Sequence, residues 1–277
     1  MKTAMQTLRL LSLLLALSLL WQPAQAQRFP LQNPSQPARA GNVPVDRDGA
    51  EFHFARLIYG DRGFGGGGFR GRGRWTTDWP EAEHFFMQGI TRLTRVDGRE
   101  VSVYNGDGGE RVSLTDGNVF DYPFLYAVEV GYWSLTQEEI AILREYLLRG
   151  GFLIVDDFHG TEEWGGFISV MQRVFPDRPI VDIPEDAEVF HVLYDLDEKV
   201  QIPGLAALYS GVTYERDGYD PHWRGIFDDS GRLLVAINHN MDLGDAWEHA
   251  DTPGYPEPMT ALAYRFAVNY VIYAMTH

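Results

Sequence analysis

Between residues 135 and 160 the hydrophobic period of the chain changes from helical to continuous. Ile140, Leu143, Tyr146 and Leu147 recur at helical spacing and predict one apolar helix face. Thr136 suits the N-cap, and Glu139 three residues on can complete a capping box. Leu135 and Ile140 stand at hydrophobic-staple positions. Gly150-Gly151 stops the helix, because glycine accepts the left-handed backbone of a C-cap. Residues 152–155, Phe-Leu-Ile-Val, are too few for a second helix and read as a strand covered on both faces. Asp156, Asp157 and His159 follow at its carboxyl end, where open α/β sheets bind ligands. The same Asp pair also suits a plain turn that caps the next helix.

The rest of the chain repeats this alternation. Residues 52–59 predict a first strand, rich in aromatic and branched side chains. Residues 78–94 predict a helix, with Asp78 and Glu81 at capping-box spacing, Pro80 in the first turn and Ala82, Phe85, Phe86, Ile90 and Leu93 on one face. Short strands are expected at 111–114, 124–130, 179–183 and 188–193, and a strong buried one at 232–238. A helix is expected at 161–175. Residues 203–219 read mostly as loop and 245–258 as irregular. The closing helix, 258–275, is apolar nearly all round, so it is packed in the core or against a partner or membrane; Arg265 and Asn269 share one of its faces. There is no internal repeat. Strands alternating with helices predict a doubly wound, mostly parallel α/β sheet with helices on both faces.

Composition narrows the function. Lys2 and Arg9, the apolar run 10–20 and Ala24-Gln25-Ala26 have the form of a secretory signal, residues 1–26. The run is short for a membrane span, and no stable span is expected after cleavage, although a retained anchor stays open. Residues 27–49, rich in Pro, Gln and Asn, read as a flexible linker, and 50–277 as a single α/β domain. The periplasm or cell envelope is the expected location. Loss of Lys2 and Arg9 takes the net charge from −16 to −18, which opposes nucleic-acid binding. The Arg-Gly-Phe stretch 60–74 is therefore read as a surface loop, or as an arginine-bearing cover for the sheet edge, and not as an RNA-binding segment. The chain has no cysteine, hence no disulfide, thiol nucleophile or thiolate metal site.

The predicted strand ends collect polar groups on one edge: Asp61, Asp116, Glu129, Asp156, Asp157, His159, Asn238, His239 and Asp242. A small-ligand site there is the leading expectation. Three chemistries fit. Recognition without turnover of a glycan, peptide or protein partner needs no special spacing, and Trp133, Trp164, Trp223 and Trp247 can serve it or simply fill the core. A divalent metal, held by Asp157, His159, His239 and Asp242 with Glu129 or Asp156 as general base, would make a hydrolase, but no HExxH-like signature supports it. Serine hydrolysis lacks a GxSxG elbow, and Ser210 has no identifiable partner. No cofactor is expected under the first chemistry.

The stretches FHFARLIYG, WTTDWPEAEHFF, LREYLLRGGFLIVDDFHG, NHNMDLGDAWEHAD and YPEPMTALAYRFAVNYVIYAMTH resemble the bacterial domain-of-unknown-function family 4159 over about residues 50–277. The resemblance implies an exported or membrane-attached envelope protein, with a possible partner in a MoxR-type ATPase and von Willebrand factor A system. It carries over no catalytic residue. The helix–Gly-Gly–strand unit also resembles class I glutamine amidotransferase-like, or flavodoxin-like, proteins. Without cysteine, amidotransferase chemistry is excluded. The expectation is a non-catalytic binding domain of the envelope. The alternatives are a metal-dependent hydrolase of an envelope carbohydrate or peptide, and a structural subunit of a membrane-proximal complex that docks through its last helix.

Overall fold

The computed structural model describes residues 49–61 and 73–277, all within the compact unit Ala40–His277. The expected signal segment, almost all of the linker and residues 62–72 of the glycine–arginine stretch lie outside these residues. In chain order the strands are β1 (Ala55–Ile58), β2 (Gly60–Asp61), β3 (Glu110–Ser113), β4 (Phe124–Val128), β5 (Trp133–Ser134), β6 (Phe152–Asp156), β7 (Val181–Asp182), β8 (His222–Phe227) and β9 (Leu233–His239). The helices are α1 (Glu81–Leu93), α2 (Gln137–Leu148), α3 (Gly160–Val174), α4 (Leu205–Tyr209), α5 (Leu243–Glu248) and α6 (Glu257–Thr276).

Seven strands form one sheet in the order β3-β1-β4-β6-β9-β8-β7. The first five are parallel, and β8 and β7 add an antiparallel edge. β2 and β5 make a separate antiparallel ribbon. The chain runs outward from β1 to β3, then returns to the other side of β1 with β4. That reversal creates a topological switch point between β1 and β4.

Alternate residues of the central strands feed two cores. Phe124, Tyr126, Phe152 and Ile154 pack with α1, α5 and α6 on one face. Leu125, Ala127, Leu153 and Val155 pack with α2 and α3 on the other. This two-sided burial is why β4 and β6 read as continuous apolar runs. The capping box at α2 is present: Thr136 Oγ1 accepts from Glu139 N at 3.2 Å, and Glu139 Oε2 accepts from Thr136 N at 2.7 Å. The apolar residues of α6 are spent on the sheet, with Leu262, Ala263, Phe266, Ala267, Tyr270 and Val271 in that core. No helix among the described residues is long and apolar enough to cross a membrane.

Four local expectations are corrected. Residues 188–190 form a 3-10 turn and not a strand, because Val189 and Phe190 insert into the core against α6. The segment read as irregular after 245 holds α5, begun by Asp242 as its N-cap. β8 was not expected; its Gly225 lies where a Cβ would stand 2.4 Å from Leu233, so contact with β9 sets this strand more than local propensity does. On α6 Arg265 is exposed, whereas Asn269 is buried and bridges Tyr194 N and O at 2.9 and 2.8 Å.

Beneath the switch point Arg56 of β1 is fully buried and paired with Glu83 of α1. Its Nη1 also donates to Trp75 O at 3.1 Å and Thr77 O at 2.8 Å, which anchors the approach to α1. Removing one member of a buried pair strands the other charge. Arg56→Met is expected to cost about 3–5 kcal/mol in urea unfolding, and Arg56→Met/Glu83→Leu less than the single change. An equal or larger loss in the double variant would show that the carbonyl contacts, not the ion pair, dominate.

Candidate functional site

Three neighbouring parallel strands end on non-glycine residues in left-handed backbone. Glu129 follows β4 with φ 53°, Asp157 follows β6 with φ 50°, and Asn240 follows β9 with φ 65°. Backbone hydrogen bonds stitch these turns together. Glu129 N donates to Asp157 O at 3.0 Å, Asp157 N to Met241 O at 3.1 Å, and Asn240 N to Phe158 O at 3.0 Å. Across the switch point Tyr59 OH donates to Val128 O at 2.6 Å. Asp78 (φ 58°) and Arg216 (φ 53°) are the other described non-glycine residues with left-handed backbone. Such conformations cost free energy, about 1–3 kcal/mol each where the side chain is poorly suited, and they persist where surrounding contacts enforce them.

The carboxylates at this edge have distinct partners. Asp156 is fully buried; its Oδ2 accepts from Tyr126 OH at 2.9 Å, Leu243 N at 2.8 Å and Gly244 N at 3.2 Å. It ties β4, β6 and the start of α5 together. Asp157 Oδ1 lies 3.2 Å from His159 Nε2, and both residues are buried. Glu163 accepts from His159 N at 2.5 Å and pairs with Arg216 Nε at 2.6 Å. Arg216 Nη2 donates to Tyr132 OH at 2.8 Å. Arg74 stands 3.7 Å over the Tyr132 ring and donates to Glu129 Oε2 at 3.2 Å. Two partly exposed arginines thus flank Tyr132 at the rim.

Crowding shifts the proton affinities. Burial, then the Asp157 and Glu163 charges, push Glu129 up to about 8. Burial and Asp157 push Asp156 up to about 7, and burial and Asp245 push Glu248 up to about 7. Asp78 and Asp242 are raised well above the usual carboxylate range by burial and by Asp245. Burial lowers the affinity of His159 for its proton, but the Asp157 hydrogen bond and charge, with Glu215 and Glu163, outweigh it and leave the pKa raised. Burial takes His239 down to about 4.

The expected site residues divide. Glu129, Asp156, Asp157, His159 and Asp242 come together, and Asp61 joins the ribbon beside them, accepting from Arg74 N at 3.0 Å. His239 stacks among Phe158, Trp164 and His222, with Nε2 3.2 Å from Gly160 O. Asn238 turns into the core, where Tyr270 OH donates to it at 2.9 Å. Asp116 is exposed and accepts from Ser113 N in its own turn. Of the four residues considered for a metal, only Asp242 enters a close ligand group. Its companions are Asp78 and Asp245, with donor atoms within 4.8 Å of one another; Asp245, Glu248 and His249 form a second such group. Trp133, Trp223 and Trp247 are core residues.

Sequence reading missed Asp78, Glu163, Glu215, Asp245 and Arg216 as site residues, whereas Arg74 belongs to the stretch read as an arginine-bearing cover for the edge. Asp78 was expected to cap α1, but the helix begins three residues past it, at Glu81, with Pro80 at the N-cap position and no side-chain cap. Asp245 carried a usable signal, three residues after the cap Asp242. Nothing in local spacing links Asp78 or Glu215 to the others.

A mostly parallel, doubly wound α/β domain with charged groups concentrated at the carboxyl edge of its sheet is the class this architecture defines. The chain belongs to the family described as domain of unknown function (DUF4159), whose model matches residues 53–275. A search of the curated proteins finds no match to it.

Glu129, Asp156 and Glu248 each bind a proton more tightly folded than unfolded, as does His159. Their stabilising contribution is complete below the unfolded values and is lost as pH rises through the folded ones. His239, depressed from 6.5 to about 4, acts oppositely, but only below pH 6.5. Between pH 6.5 and about 8 the unfolding midpoint is therefore expected to fall, and Glu129→Gln to flatten that fall. Calorimetric scans across this window check it; a rising midpoint would contradict the assignment.

Proposed function

We propose that this protein is a ligand-binding domain exported to the periplasm or cell envelope. The strand-end edge of its sheet takes a small polar ligand, a sugar or peptide fragment of the envelope, without turning it over. The observation that carries this reading is the concentration of left-handed backbone at one edge. Glu129, Asp157 and Asn240 are held there by mutual backbone bonds, with Asp78 and Arg216 beside them. Enforced conformations of this kind gather at ligand sites more than at surfaces that only pack. The rim supports the same reading. Arg74 and Arg216 offer guanidinium donors to a carboxylate or phosphate, and Glu129, held largely protonated at neutral pH, leaves Arg74 its charge. The strand order second-first-third-fourth-fifth among the parallel strands favours a flavodoxin-like assignment, which belongs to this proposal. So does a protein partner of the MoxR and von Willebrand factor A kind.

One observation favours a hydrolytic second reading. Asp157 occupies a left-handed turn directly between β6 and α3, with an imidazole 3.2 Å away, which is the arrangement of a nucleophile elbow.

Calorimetry with defined muropeptides and oligosaccharides separates the two. Saturable binding without product is expected, weakened at least about tenfold, roughly 1.4 kcal/mol, by His159→Gln and by Arg216→Ala. Affinity unchanged in both variants would refute the edge site. Ligand consumption abolished by Asp157→Asn would establish the hydrolase in its place.

A further inference from the structure

We propose that Asp78, Asp242 and Asp245 hold one hard divalent cation at the sheet edge. This site goes beyond the ligand-binding reading and does not depend on it.

The three carboxylates come from separate segments: the approach to α1, the turn after β9, and the first turn of α5. Their donor atoms lie within 4.8 Å of one another. Donor atoms grouped this closely can share one ion. An all-carboxylate donor set selects a hard cation over zinc or copper.

Asp78 supplies the independent observation. Its Oδ2 is buried and has no hydrogen-bond partner among the described residues. Four neighbouring acids have donors: Asp156 has a phenol and two amides, Glu163 an amide and Arg216, and Asp242 and Asp245 each a backbone N–H. Among the described residues neither Asp78 nor Asp242 forms an ion pair. Arg56, the nearest buried cation, is committed to Glu83. A buried carboxylate without a donor or counter-charge is costly, and a bound cation removes that cost.

Two glycines keep space clear at the same place. A Cβ on Gly204 would stand 2.8 Å from Asp242 Oδ2, 2.9 Å from Glu215 Oε1 and 3.2 Å from Asp245 Oδ2. Three carboxylate oxygens therefore converge on one point before this residue. Its backbone, φ −66° and ψ 152°, is open to any amino acid, so space and not conformation calls for glycine. A Cβ on Gly244 would lie 2.6 Å from Asp78 Oδ2, and this residue too lacks positive φ. Glu215 is the natural further oxygen donor, since calcium takes six to eight, with carbonyls and water completing the set.

The test is titration calorimetry of the whole chain at neutral pH with calcium chloride alone. One saturable site is expected, with a Kd of about 10⁻⁵–10⁻³ M. Asp78→Asn should weaken it at least about tenfold. That change removes charge without breaking a hydrogen bond at Oδ2, so the fold should persist. Gly204→Ala, which sets a methyl group among the three oxygens, should weaken it as well, and it decides the question if Asp78→Asn does not fold. Glu198→Gln, an equal charge loss on the exposed surface, should leave affinity unchanged. No saturation by about 10 mM calcium, normal affinity in the folded variants, or equal weakening by Glu198→Gln would each overturn the site.

Discussion

Carboxylates brought out of water repel one another, and much of this fold arranges donors to make that gathering tolerable. Asp156 is the clearest case. Fully buried at the end of β6, it collects a phenol from β4 and two amides from the start of α5. Those bonds fix where α5 begins. The start of α5 in turn sets Asp242 and Asp245, and α5 brings Trp247 into the core beside Phe54, Phe86 and Tyr126. A single buried acid thus connects the sheet, the helical layer and the charged edge. Low local polarity strengthens each satisfied bond and makes each missing one costly.

The edge has two parts with different electrostatic characters. Around Asp157 and His159 the acids have partners: Glu163 pairs with Arg216, Glu129 accepts from Arg74, and Asp157 lies beside the imidazole. Such a region suits a ligand that exchanges its own polar groups for those already present. Around Asp78, Asp242 and Asp245 the balance fails: His249 stands 3.6 Å from Asp245, and neither Asp78 nor Asp242 has an ion pair among the described residues. Asp157 lies between the two parts, and its charge raises proton affinities on both sides, at Glu129 and at Asp242. A change of charge in one part will therefore be felt in the other.

The continuous apolar runs of β4, β6 and β9 announced two-sided burial, and the capping box of α2 was readable to the residue. Asp157 and His159 could be placed at a strand end because periodicity alone located that strand. The antiparallel strand β8 was hidden, since its Gly225 is chosen by the side chain of Leu233 across the pair. Asp78 was misread for a related reason: its capping-box spacing is genuine, but its carboxyl is drawn to a group made by residues more than 160 positions away.

The amino-acid order by itself therefore determined the alternation of strands and helices, the doubly wound sheet and the edge at which polar groups would emerge. Those features follow from periodicities that neighbouring residues impose on one another. Only the tertiary structure decided which acids meet, which are neutralised and which face each other without a counter-charge. Asn238 went to the core, Asp116 to solvent, and Asp78, Glu215 and Asp245 to the edge. Electrostatic interaction depends on distance through space and on burial, and separation along the chain encodes neither.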